Sequence, residues 1–362
     1  MTTAAANATP HTYPRYEIPG LVDRPDWWQV RVDEVEKVVA TARKGQVRQF
    51  ATSPLGYAVQ ALAYGYDAPA PGTATWASAS ASGDVTPYKT REQPQSILLL
   101  CGMHGAEPEA VAGAVNLISL LETGKDLRGH ERPDIVELAS HYRLVIVPCL
   151  NPDGRHVSPD HLRGASQDDF RRASQGYWSD DSLIGYPVCK KHHPLPMDKV
   201  GHPGGYPNAL GFNIQHDSCP GLVFTDEARG LFRLMHEEQT DLLINMHSHA
   251  MAPRALPPSL CSYPLHAART GSYLQRIADD LDAAGLRPAP VMDPKGRSAI
   301  GVNTACAQIS GGLAVTFEHP TIEEYSFDEI LEIFYVTVEC FLRHGLEEPF
   351  APREAVMRGR SE

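Results

Sequence analysis

His104, Glu107 and His247 are the residues of this chain whose types and spacing best suit chemistry. His104-Gly-Ala-Glu107 follows directly on Ser96-Ile-Leu-Leu-Leu-Cys101, a run too short and too apolar for an exposed helix. Gly102 and Gly105 punctuate its exit into a segment of helical character. A histidine and a carboxylate three residues apart can both reach one ion as the chain leaves a strand, and two imidazoles with one carboxylate suit Zn2+. Three protein ligands leave a fourth position for water, which is the arrangement of a catalytic and not a structural zinc. The third ligand stays open at this level, because alternation along a strand sends His247 and His249 to the same side. The competing reading of Glu107 is a first-turn acid that favours the helix dipole, a part Glu109 could also play.

The elements that must position these residues are written in the apolar pattern. Val32 to Ala42 carries apolar residues at helical spacing, and Tyr57 to Tyr64 reads as a strand. From Ser96 onward, strand and helix patterns alternate: strand to Cys101, helix Glu107 to Glu122, strand Tyr142 to Val147, helix near Asp226 to Glu238, strand Asp241 to Met246. Thr270 to Ala284 is a further helix closed by Gly285, and Leu313 to Phe317 is a third strand ended by Glu318. Ser326 and Glu329 form a capping box for a long last helix that ends before Gly345. That rhythm predicts an α/β sandwich, with the ligands and Glu318 just past strand C-termini, where open α/β sheets gather their sites. Between Gly154 and Gly211 lies a long aperiodic stretch rich in Pro, Gly and His, expected to shape a binding site or lid. His192 and His193 within it read as solvated loop residues, since no carboxylate is near. Residues 68 to 83 are one low-complexity loop. The expected organisation is a tail over 1–12, a single catalytic domain over 13–350 and a second tail over 351–362.

Composition narrows the partners. With 362 residues, 42% of them hydrophobic and 21% charged, the chain is ordinary for a globular protein with a large core. A formal charge of -12 with no basic stripe argues against nucleic acid and against an anionic membrane surface. No stretch is apolar for long enough to span a bilayer, and the first ten residues lack the basic and apolar regions of a signal peptide. The seven cysteines are odd in number, scattered and without C-x-x-C spacing, which favours buried thiols and a reducing, cytoplasmic compartment. No G-x-S-x-G elbow offers a serine nucleophile, and Cys101 and Cys149 have no basic neighbour.

Three further segments follow the His104–Glu107 pair in order: Asn151-Pro-Asp-Gly154, Asn245-Met-His-Ser-His249 and Leu313-Ala-Val-Thr-Phe-Glu318. In this order the chain resembles the zinc carboxypeptidase family over about residues 13 to 345. The resemblance implies a three-layer α/β/α sandwich around a mixed, mostly parallel sheet, and one Zn2+ per chain. The family's third ligand precedes a serine, which favours His247 before Ser248. Glu318 is implied as the general base that takes a proton from the attacking water and passes it to the leaving nitrogen. His319 beside it would either tune that carboxylate or lie at the surface. The oxyanion of the tetrahedral state needs positive charge, and Phe170-Arg171-Arg172 resembles the family's aromatic-Arg-basic segment, making Arg171 the electrophilic candidate and Arg172 the alternative. Asn151 and Asp153 are expected to hold their turn and not to touch substrate.

The pattern breaks where the family holds a free C-terminal carboxylate with a G-x-D-x-N-R segment, for here the chain reads Gly211-Phe-Asn-Ile-Gln215-His216. Gln215 can donate hydrogen bonds, but His216 is shorter than arginine and only partly charged near neutrality. The tyrosine that closes over substrate is also not evident in Thr304 to Gln308. Arg254 or Arg297 could supply the missing cation. The sequence therefore implies a zinc-dependent hydrolase of amide bonds in a peptide or small molecule, with a deacylase of N-acyl amino acids or small metabolites as the alternative. A non-catalytic binding protein is disfavoured because all four site residues are present.

Overall fold

Apolar runs become strands where both faces can be covered, and together with more exposed edge strands they make one sheet of seven. In chain order these are β1 (Gln46–Thr52), β2 (Ala58–Gly65), β3 (Ser96–Leu100), β4 (Arg143–Val147), and, after the short β5 (Tyr177–Trp178) and β6 (Val200–His202), β7 (Leu242–His249), β8 (Arg254–Leu256) and β9 (Leu313–Pro320). A computed structural model describes residues 9–67, 94–191, 193–218, 222–257, 264–292, 301–310, 312–322 and 325–350. The sheet order is β1-β2-β4-β3-β7-β9-β8. The four middle strands β4, β3, β7 and β9 run parallel, with β2 and β1 antiparallel at one side and β8 antiparallel at the other. The expected mixed sheet with a parallel centre is what forms.

Alternate residues of the strands feed two separate cores. Ile97, Leu99, Leu242, Ile244, Met246, Leu313, Val315 and Phe317 join one core with helices α1 (Val32–Thr41), α2 (Pro108–Thr123) and α3 (Pro133–Ala139). Leu98, Leu100, Leu243 and Ala314 join the other. After α4 (Pro152–Val157) and α5 (Gln167–Gln175), helix α6 (Asp226–Glu237) covers this second face. Helix α7 (Pro264–Ala283) returns to the first face, α8 (Val302–Ser310) to the second, and α9 (Phe327–Glu347) again to the first. Helices on both faces make the three layers.

Several boundaries differ from the sequence reading. β7 continues to His249 and β9 to Pro320, paired residue by residue with His247 opposite Glu318, so these side chains sit within paired strand and not past its end. α7 starts at Pro264, ahead of Thr270. α9 begins with the expected Ser326–Glu329 capping box but runs to Glu347, through Gly345. A Cβ at Gly345 would stand 2.3 Å from Phe350 and 2.6 Å from the Tyr142 hydroxyl, so that glycine permits close packing and does not stop the helix. The stretch from 154 to 211 is not structureless. It holds α4, α5, the antiparallel pair β5–β6 and a small core of Ile184, Cys189, Leu195, Met197, Val200 and Tyr206. The expected N-terminal tail ends earlier than residue 12, since the His11 amide donates to the Ala209 carbonyl at 3.1 Å. Residues 1–8, the loop at 68–83, His192, Arg297 and the tail at 351–362 lie outside the described residues. Among those described, no helix is long and apolar enough to cross a membrane, and Cys101, Cys149, Cys189, Cys306 and Cys340 are buried free thiols.

Candidate metal centre

The exit of β3 is held by backbone packed on backbone. The Gly105 amide donates to the Gly205 carbonyl at 2.6 Å, and a Cβ at Gly105 would lie 1.9 Å from the Gly154 carbonyl carbon. Only glycine fits there. The Asn151-Pro-Asp-Gly154 turn ties this together as expected: Asn151 Oδ1 accepts from the Gly154 amide at 2.9 Å, and its Nδ2 donates to the Tyr206 and Pro207 carbonyls, each at 3.2 Å. Asp153 accepts from the Ser53 hydroxyl at 2.5 Å and from the Ala209 amide at 3.1 Å. The polar pair thus anchors the 205–209 loop over the end of β3.

Pro108 occupies the first turn of α2, which leaves Glu107 as the residue before the helix with non-helical φ, its carboxylate free to point across the strand ends. Its Oε1 lies 2.7 Å from His104 Nδ1 and its Oε2 lies 2.9 Å from His247 Nδ1. The Ser248 amide donates to the same Oε2 at 3.1 Å. His104, Glu107 and His247 are all buried, with candidate ligand atoms within 4.8 Å of one another. Glu109, the alternative first-turn acid, is buried too, and burial pushes its carboxyl up to about 7. His249 is half-buried and outside this cluster.

Burial opposes charge throughout, and the charges present decide which groups resist it. Burial lowers His104 to about 4 despite Glu107. Glu107 would be raised by burial, but the two imidazoles outweigh it and hold the carboxylate well below its usual range. His247 is likewise opposed by burial, yet Glu107 and Glu318 raise its pKa above the ordinary value. The far nitrogen of His104 fixes its tautomer: Nε2–H donates to Asn213 Oδ1 at 3.2 Å, while Asn213 Nδ2 donates to the Cys189 carbonyl at 2.9 Å. A neutral His104 so held presents a lone pair from Nδ1 to a carboxylate oxygen 2.7 Å away. A proton or a metal ion shared by the two groups relieves that contact, and Zn2+ accepts this donor set.

Glu318 faces His247 across the β7–β9 register. Burial pushes its carboxyl up to about 7, with Glu107 in the same direction and His247, Lys190 and Arg254 opposing. His319 is fully buried on the opposite face of β9, against Phe317 and Phe334, and its ring Nδ1–H donates to the His247 carbonyl at 3.1 Å. It is neither a surface residue nor a neighbour of the Glu318 carboxylate but a strut behind His247.

The cations are arranged differently from the sequence reading. Arg171 is exposed on α5 and forms no hydrogen bond or ion pair among the described residues, and Arg172 is engaged by Asp168 and Asp181 at the surface. Lys190 instead reaches the centre. Its Nζ lies 4.1 Å from the centroid of the Tyr206 ring, and that ring lies tilted by 34° against His104 at 4.2 Å. Its charge is felt by His104, His247 and Glu318 alike. Arg254 stands opposite Glu318 in the β8–β9 register. Gln215 is turned inward, its Oε1 accepting from Asn245 Nδ2 at 3.1 Å, and Asn245 also donates to Asn303 Oδ1 at 2.7 Å. His216 is half-buried beside it at the end of a short 3-10 turn. Lys190, Tyr206 and Asn213 escaped sequence reasoning. Asn213 alone had a signal, as it stands where G-x-D-x-N-R has its acid.

Residues 46–177 match the zinc carboxypeptidase family, peptidase M14, so the resemblance drawn from the ordered motifs is borne out over a span that includes His104 and Glu107. The fold is similar to that of a metallo-carboxypeptidase from Burkholderia cenocepacia, at 13% identity and TM-score 0.53 over 86% of this chain and 68% of the other. It is similar to the Pseudomonas aeruginosa metallo-carboxypeptidase in complex with (2-guanidinoethylmercapto)succinic acid, at 13% identity and TM-score 0.53 over 87% and 68% of the two chains. Bovine thrombin-activatable fibrinolysis inhibitor in complex with tick carboxypeptidase inhibitor is also similar, at 12% identity and TM-score 0.53 over 89% and 99%. At these identities the likeness is one of fold. No curated protein sequence matches the chain.

Proposed function

We propose that the protein is a zinc-dependent hydrolase of amide bonds, with His104, Glu107 and His247 as ligands of one zinc ion and Glu318 as general base. The observation that carries this reading is the pair of imidazole Nδ1 atoms converging on the two oxygens of one buried carboxylate, with the His104 tautomer fixed from behind by Asn213. Zinc, when bound, supplies Lewis acidity toward a carbonyl oxygen and makes water a nucleophile near neutral pH. Glu318 is suited to take the proton of the attacking water and return it to the leaving nitrogen, because its carboxylate stands opposite His247 in the β7–β9 register, next to the proposed zinc ligands.

Lys190, and not Arg171, is the proposed partner of the developing oxyanion, since it is the cation set among His104, His247 and Glu318. Arg254, beside Glu318, is the proposed partner of a substrate carboxylate. Gln215 is committed to Asn245 and His216 is a weak substitute for a guanidinium, which favours small acylated or amide substrates over unmodified peptides with free C-termini. Elemental analysis tests the ligand set: His247→Ala is expected to lose zinc and His249→Ala to keep it, and the opposite pattern rejects the assignment. A panel of N-acyl amino acids, amidated peptides and free dipeptides tests the substrate class, and efficient, pH-insensitive cleavage of the free dipeptides alone rejects it.

A further inference from the structure

We infer a second divalent-cation site, built from Asp280 of α7 with Cys340 and His344 of α9, that takes Zn2+ or another transition metal and ties the two helices together. Cys340 and His344 are four residues apart on one helix and so share a face, the one that packs on α7. The thiolate, imidazole and carboxylate donors of these three residues lie within 4.8 Å of one another. Asp280 Oδ2 is 3.5 Å from His344 Nε2. A tetrahedral zinc with bonds of ~2.0–2.3 Å has ligand-to-ligand edges of roughly 3.3–3.8 Å, so that separation already suits a shared ion.

The imidazole is oriented for the task. Two neighbours compete for His344 Nδ1, Arg276 Nη1 at 2.7 Å and Glu347 Oε2 at 2.9 Å, and the proposed ion at Nε2 selects the tautomer in which Nδ1–H donates to Glu347. Two arginines border the cluster and each has somewhere else to go. Arg343 Nη2 is 2.6 Å from Asp280 Oδ2, but Arg343 is partly exposed and its Nη1 already lies 3.3 Å from Glu339. Arg276 Nη1 stands 2.7 Å from His344 Nδ1 and also pairs with Glu347 at 2.9 Å. Asp280, Glu339, Glu347 and Glu348 face three guanidinium groups, Arg269, Arg276 and Arg343, so the surroundings keep a net negative charge. Cys340 is fully buried, while the Asp280 and His344 side chains are 26% and 16% exposed, which gives an ion a way in.

Cobalt distinguishes this site from the first, because only this one offers sulfur. The metal-stripped full-length protein, titrated with Co2+, is expected to take up more than one ion per chain and to develop a near-ultraviolet thiolate-to-cobalt charge-transfer absorption. Cys340→Ser should abolish that absorption and leave the remaining cobalt and any hydrolytic activity in place. His344→Gln, read the same way, serves if the serine variant does not fold. Absence of the absorption at saturating Co2+, or its survival in Cys340→Ser, overturns the proposal. None of these outcomes depends on the role assigned to His104, Glu107 and His247.

Discussion

β7 and β9 have two faces of opposite character. On one, Leu242, Ile244 and Met246 lie beside Leu313, Val315 and Phe317, apolar beneath α7 and α9 until the row closes on Ser248 and His319. On the other, Leu243 is followed by Asn245 and His247, and Ala314 by Thr316 and Glu318, so the row grades from apolar through amide and hydroxyl to ionisable groups as the strands end. Asn303 of α8 bridges the middle of that row, accepting from Asn245 at 2.7 Å and donating to Thr316 at 2.6 Å. The first face stabilises by removing apolar surface from water. The second loses part of that gain to desolvated polar groups and holds them in place through hydrogen bonds. The same two strands thus carry stability on one side and chemistry on the other, and His319 is where the first side braces the second.

The sharpest way to break this comparison is Phe317→Ala. Deleting a fully buried ring should lower unfolding free energy by about 3–5 kcal/mol, with turnover per folded molecule little changed. Chemical denaturation reads the first and active-site-normalised kinetics the second; unchanged stability would mean the apolar face is not the load it is taken for. One residue on, Glu318→Gln should do the reverse. Turnover is expected to fall at least roughly a hundredfold, with zinc content preserved and no loss of stability. Near-normal turnover would assign water activation to another residue.

The layer over the polar face extends the contrast to pH. Glu227 of α6 is buried, and burial pushes its carboxyl up to about 7 from 4.5, with Asn208 Nδ2 donating to it at 3.1 Å. A folded-state pKa raised above the unfolded value means the folded state holds its proton longer. The stabilisation is therefore complete below about pH 4.5 and is lost as pH rises through about 7. Glu227→Gln should match the wild type at pH ~5 and exceed it at pH ~8 by roughly 2–3 kcal/mol, as thermal or urea unfolding will register. Equal stability at both values would show that the carboxylate is solvated. The smallest effect is expected at the rim: Lys190→Met should lower kcat by roughly tenfold at unchanged zinc content, while Arg171→Ala changes little. If the two results are exchanged, the cation assignment fails.

Much of this was legible because buried parallel strands and amphipathic helices leave periodic traces. Ser96–Leu100, Arg143–Val147 and the capping box at Ser326 lie where the pattern put them. The ends of β7 and β9 were not legible, since Ser248, His249 and His319 interrupt the apolar pattern while the backbone continues to pair. α8 was not anticipated for a related reason: its Asn, Thr and Gln residues interrupt the apolar pattern, although Val302 and Cys306 are spaced for one buried face. The three candidate ligands and Glu318 were readable as motif residues, and the fold brings them together. Lys190 and Tyr206 had no comparable signature, because their position depends on how an aperiodic segment is tethered by Asn151 and Asp153. Arg171 had the right neighbours in sequence and the wrong ones in space.

Arg155 follows that tether and has a consequence for motion. Its side chain is fully buried, and its guanidinium donates to the carbonyls of Gly105 at 2.5 Å and Ser158 at 2.8 Å, and to that of Pro159, with no ion-pair partner among the described residues. Peptide dipoles stand in for the water that a cation would otherwise keep. Should the loop after β3 lift away, or the turn after α4 fray, that charge would lose its solvation before it reached bulk solvent. The two segments are therefore expected to open together or not at all, and breathing at the centre becomes a single cooperative event, slow and infrequent, rather than the independent flicker of two loops.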